Sequence, residues 1–285
     1  MFEYYFFKKS TREYDSAEYF SFLMSFKYMQ IFLDEDNNKN ILYHNTDLDF
    51  KATFVFGRKT RIKNLYELDP NYLDTNIYVA FDALQSDFKV KLILEIIGLF
   101  CKKFGLYVYT KHFEDVFPYK EKMCLKAYLL EKRYTKNHEN ERLLDFAYIE
   151  SKNLKKIYNY LLSSDKIRFS LKNEQFKSLK YRFYQNVGTR TPIISCILEF
   201  DGPIIIPPLI NTIGINTDGH ITFYDYDRIF KKISKLTHKD DLSSDEYSYV
   251  MRKDLKKLKK IIMKQKQAVI NVSSPEIKLN RILDI

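Results

Sequence analysis

The chain has 285 residues, 45% of them hydrophobic and 29% charged, enough apolar material for a sizeable core and too ordinary a charge content for wholesale disorder. Its formal net charge of +10 favours polyanionic partners, although the excess is mostly Lys in a chain also rich in Asn, Ile, Tyr and Phe, as an AT-rich coding sequence would give. Cys101, Cys124 and Cys196 are too scattered for a disulfide framework or a zinc site, and no apolar run approaches the roughly 18 residues of a membrane span. A soluble, cytoplasmic protein is expected.

The first region, residues 1–118, reads as β-α-β-β-β-α-β. An aromatic strand occupies 2–8. Phe20, Leu23, Met24, Lys27 and Ile31 recur near helical spacing, which predicts a helix over 16–33. Short strands follow at 41–44 and 50–56, the second alternating Phe50, Ala52, Phe54 and Phe56. A basic loop holds Lys59, Arg61 and Lys63. A further strand covers 76–84, and Asp87 is expected to cap a helix that Gly105 stops. A last strand covers 106–109. Helices packed on one face of a mainly antiparallel sheet are the expected arrangement.

Residues 119–187 read as a helical connector, with Met123, Leu125, Tyr128 and Leu129 on one stripe. Leu143, Phe146, Ala147, Leu154, Ile157, Tyr158 and Leu161 form another. Residues 188–285 return to β structure: a strand at 193–200, an apolar run halted by Pro207 and Pro208, and two strands flanking Asp218-Gly219. Asp-Gly supplies the positive φ angles of a hairpin turn. Ser243 to Glu246 is a capping box and predicts a long helix to about residue 267, with Tyr247, Val250, Met251, Leu255, Leu258, Ile261 and Ile262 on its core side. The expected class is α+β.

Three groups of residues carry candidate chemistry. Asp225 and Asp227 form D-x-D at a strand end, where hard divalent cations find carboxylate oxygens; Glu199 and Asp201 would enlarge the cluster if their strand lay alongside. The plain reading is that Asp227 caps the next helix. Lys253, Lys256, Lys257, Lys259, Lys260, Lys264 and Lys266 crowd one amphipathic segment and could neutralise phosphates, or simply be its solvated side. The five histidines do not pair at metal-ligand spacing; His112, with Glu114 and Asp115, follows a strand end but reads as an ordinary loop. With 7 Gly, a glycine-lined phosphate loop has no place in the chain.

No complete catalytic constellation is legible. The first expectation is a non-catalytic binding or regulatory protein that holds a partner protein and needs no cofactor. The alternatives are a nucleic-acid-binding protein using the lysine helix with Lys59, Arg61 and Lys63, and a metal-dependent transferase or hydrolase holding Mg or Mn at Asp225 and Asp227.

Overall fold

Phe2, Tyr4 and Phe6 are buried while Glu3 and Tyr5 are only partly covered, the period-2 alternation of a strand with one face on a core. The computed structural model in which this is seen describes residues 1–9, 15–35, 37–171, 175–186, 188–217, 220–238, 247–265, 267 and 275–285. The chain divides into two compact units, Met1–Leu144 and Asp145–Ile285. Both mix helices and strands, so the α+β class holds for each.

In the first unit β1 (Phe2–Lys9), β2 (Met29–Leu33), β3 (Lys39–Asn45), β4 (Phe50–Phe56), β5 (Tyr72–Phe81), β6 (Tyr107–Tyr109) and β7 (Phe117–Pro118) form one sheet. Its order is β2-β3-β4-β5-β1-β6-β7, and every neighbouring pair is antiparallel. Helices α1 (Ser16–Met24), α2 (Asp87–Phe104) and α3 (Glu121–His138) lie on one face, and a short α4 (Asn140–Leu143) follows. The Phe100 ring of α2 meets Phe6 and Tyr19 edge-on at 5.1 and 5.3 Å, and the Tyr4 hydroxyl donates to the Cys124 carbonyl of α3. Burying each such ring contributes roughly 1.5–3 kcal/mol. Strand alternation puts Phe7 with Tyr5 on the opposite face, where Ile62, Leu68 and Val116 pack on it, and the ladder to β5 shifts register between the two.

The order expected from sequence stands, with β2 and β7 added. The helix expected over 16–33 is corrected: α1 ends at Met24 and Tyr28 takes a left-handed φ of 70°. The chain then turns back as β2 against β3, because residues 29–33 add an extended strand to the sheet where a continued helix would find no core. Helix α2 is capped by Ser86, whose extended backbone lets its side chain accept from the Lys89 N–H; Asp87 is the first helical residue. Gly105 closes the helix at φ 58°.

The second unit contains β8 (Ala147–Ile149), α5 (Ser151–Ser170), β9 (Lys177–Ser178), β10 (Tyr181–Tyr184), β11 (Ile193–Leu198), β12 (Ile204–Ile206), β13 (Thr212–Thr217), β14 (His220–Asp225), α6 (Tyr226–Ile233), β15 (Ser248–Val250), α7 (Leu255–Met263), β16 (Glu276–Ile277) and β17 (Ile282–Asp284). They make a five-stranded sheet β14-β13-β11-β10-β16, a three-stranded sheet β15-β12-β9 and the parallel pair β17-β8. Tyr160, Ile167, Phe176, Ile205 and Tyr247 form a core cluster around β12. Cys101 and Cys124 in the first unit and Cys196 in the second are all buried thiols.

Two readings change here. Phe146 and Ala147 belong to a helical stripe by sequence, yet residues 147–149 are β8, paired with β17 near the end of the chain. The long C-terminal helix is shorter than expected. Tyr247 and Val250 fit helical spacing, yet Ser248–Val250 pairs with the all-buried Ile204–Ile206 as a strand, so α7 begins only at Leu255. The expected capping box at residues 243–246 lies outside the described residues, as do Asp218 and Gly219, although the strands flanking that turn pair in register from Thr212 with Asp225 to Thr217 with His220.

Candidate nucleic-acid interface

Helix α7 is LKKLKKIIM, and its buried residues are Leu255, Leu258 and Ile262. Spacing of three and four puts these on one side, which leaves Lys256, Lys257, Lys259 and Lys260 exposed on the remainder of the helix. Lys253 precedes the helix and Lys264 follows it, both exposed. Helix α6 packs beside α7. Asp225 starts α6 by accepting the Arg228 N–H, and Ile229 and Ile233 anchor it in the core. Arg228, Lys231 and Lys232 are then exposed, with Lys235 just beyond. The Lys232 ammonium donates to the Gln265 side chain, tying the two helices together. Sequence reading found the α7 lysines but missed those of α6, because only the packing of two short helices sets them side by side. Lys266 lies outside the described residues.

Among the described residues, Lys231, Lys235, Lys253, Lys256, Lys257, Lys260 and Lys264 have no carboxylate within 4.0 Å. Lys259 sits 5.3 Å from the centre of the Phe200 ring. The arrangement is costly when nothing is bound. Lys256 with Lys260, and Lys260 with Lys264, are like-charge pairs one turn apart, each destabilising by about 0.2–0.5 kcal/mol. The first turn of α7 holds lysines and no acid; the nearest carboxylate is that of Asp254 at the N-cap, which makes no capping hydrogen bond to the helix.

The charge is also unevenly shared. Residues 1–144 hold 22 Lys and Arg against 21 Asp and Glu, a net of +1, while residues 145–285 hold 25 against 16, a net of +9. The basic residues themselves are shared almost evenly, 22 against 25, so the difference lies mainly in the five fewer acidic residues of the second unit. Lys59, Arg61 and Lys63 belong to the nearly neutral unit. There Lys59 and Lys63 are exposed, and Arg61 donates to the Tyr78 hydroxyl and pairs with Glu3 at 3.7 Å.

The acidic residues do not converge. Ser195, Thr212 and Asp225 stand level across β11, β13 and β14, whereas Glu199 lies four residues further along, roughly 13 Å at the strand rise. Lys177 bridges Glu199 and Asp201, and holds the Asp201 carboxyl below its usual range. Asp225 is the α6 cap and Asp227 is exposed in its first turn, so the capping role expected of Asp227 falls to Asp225. Among the described residues no group of three or more His, Cys, Asp and Glu side chains is placed to hold a metal.

In the first unit Glu131 of α3 is a buried carboxylate that meets Lys111 at 2.9 Å and His112 at 2.8 Å. Burial by itself would raise its pKa, but the hydrogen bonds from Lys111 and His112 outweigh that and hold it below the usual carboxylate range. A carboxylate-oriented imidazole is a component of acid–base sites. Here Glu131 is the only hydrogen-bond partner of His112 among the described residues, and the cluster fastens the end of β6 to α3. The loop reading of His112 missed Glu131, which is 19 residues away.

No helix among the described residues is long and apolar enough to cross a membrane. No protein-family model matches the chain, and no curated protein and no solved structure matches it either.

Proposed function

We propose that this protein binds nucleic acid through the α6–α7 surface, contacting the phosphate backbone rather than base edges. The observation that carries this reading is the row of exposed lysines on two adjoining helices that have no acidic partner among the described residues, in the unit that holds nearly all of the net charge; Arg228 beside them pairs with Asp225 at 3.6 Å. Lysine is a flexible point charge suited to phosphates, whereas bidentate base reading favours Arg, of which this surface offers Arg228 and Arg252. An anionic membrane is the weaker match, because the apolar side of α7 is already buried in its own unit and charge alone gives only marginal anchoring.

The test is fluorescence anisotropy with labelled duplex and single-stranded oligonucleotides of mixed sequence, across a range of salt. Binding should weaken steeply as salt rises, with a log–log slope of about 0.9 for each duplex phosphate contacted, and should differ little between sequences. No binding at low salt, or a stronger response to phosphatidylserine vesicles than to either oligonucleotide, would overturn the reading.

A further inference from the structure

We propose that two copies of this chain associate by antiparallel pairing of β2 with β2, joining their seven-stranded sheets edge to edge. Strand β2 is one edge of the sheet. The bond from the His44 N–H to the Tyr28 carbonyl sets which residues face β3: residues 28, 30 and 32 turn their backbone groups inward. Those of Ile31 and Leu33 therefore point away from the sheet, and no hydrogen bond to them occurs among the described residues. Ile31, Phe32 and Leu33 are 55%, 45% and 52% exposed, an apolar run on an open edge that proteins normally protect.

The opposite edge is protected. Strand β7 has two residues, and one of them is Pro118, which offers no N–H. Each sheet thus has one edge available, and a two-fold pairing uses it up, giving a closed dimer and not a filament.

The sequence around β2 selects the occupant. Antiparallel pairing centred on Ile31 keeps the outward backbone groups of both strands in register, sets Ile31 beside Ile31 and sets Met29 beside Leu33. Antiparallel pairing also brings the turn before one strand, where the Lys27 ammonium lies over the Tyr28 ring, towards the turn after the other, which carries Asp34 and Glu35, and two-fold symmetry repeats the match. Lys27 and Glu35 are both exposed. A self-complementary charge pattern flanking an apolar centre fits a second copy of this segment better than a peptide of unrelated sequence.

Sedimentation velocity of the full chain over a concentration series to about 0.1 mM, the weak end of specific association, is the direct test. A monomer–dimer equilibrium is expected. Ile31→Lys places two like charges at the symmetry axis and should give a monomer, with far-UV circular dichroism confirming that the fold persists. Lys27→Glu and Glu35→Lys should each weaken the dimer, and the two together should restore it. A chain that stays monomeric throughout, larger species without a dimer plateau, or a dimer unmoved by Ile31→Lys would overturn the proposal.

Discussion

Helices α2 and α7 are both amphipathic and both rich in lysine, yet they spend their charge differently. Helix α2 opens with Asp87 and closes with Lys102 and Lys103, matching acid to the positive end of its dipole and base to the negative end. Helix α7 opens with lysines, has no acid in its first turn, and stacks like charges one turn apart. The first pattern stabilises a helix in isolation; the second makes sense when another molecule supplies the counter-charge. The contrast repeats at the level of the units, one nearly neutral and one with a net of +9.

The comparison can be broken in three ways. Phe100→Ala strikes the core role of α2 and should cost about 3–5 kcal/mol in urea unfolding, leaving the nucleic-acid affinity of the folded protein unchanged. Reversing Lys256, Lys257, Lys260 and Lys264 to Glu should lower oligonucleotide affinity by about 100-fold, some 2.8 kcal/mol, and flatten the salt slope. The melting temperature should change little, since the same positions then carry like negative charges one turn apart while the first turn gains acid. Reversal of Lys102 and Lys103 in α2 should leave affinity within about twofold, and a loss comparable to that of the α7 variant would erase the distinction.

Glu131→Gln should cost about 1–3 kcal/mol, by removing the charged partner of Lys111 and His112. Because the folded-state pKa of Glu131 lies below its ordinary value of 4.5, its stabilisation is present above that pH and is lost as pH falls through the folded value. The variant's stability should therefore fall less than the wild type's on acidification below about pH 4.5, measured by urea midpoints at each pH. Gly105→Ala forces a side chain into the left-handed region and should cost about 1 kcal/mol, read as a small drop in melting temperature.

The β-α-β-β-β-α-β order of the first unit was legible because Phe50, Ala52, Phe54 and Phe56 alternate and because Gly105 marks a helix end. Strand β2 was not, since Leu23, Lys27 and Ile31 fit a helix as well as the true turn and strand; only the position of β3 decides between them. Strand β15 was hidden in the same way, its pairing with Ile204–Ile206 being some 45 residues distant in sequence. The lysines of α7 were visible as a run, but their alliance with α6 depends on tertiary packing. The separation of Glu199 from Asp225 follows from a parallel pairing of β11 with β13, which leaves no local trace.

The three buried cysteines give the molecule a set of internal clocks. Burial pushes the Cys124 thiol up to about 12 and raises those of Cys101 and Cys196 well above normal, so little thiolate forms at neutral pH. A thiol reagent can react at an appreciable rate only when the surrounding structure opens. Cys101 and Cys124 time the opening of the first unit and Cys196 that of the second, and peptide mapping of a timed alkylation would rank the two units by how often each one breathes.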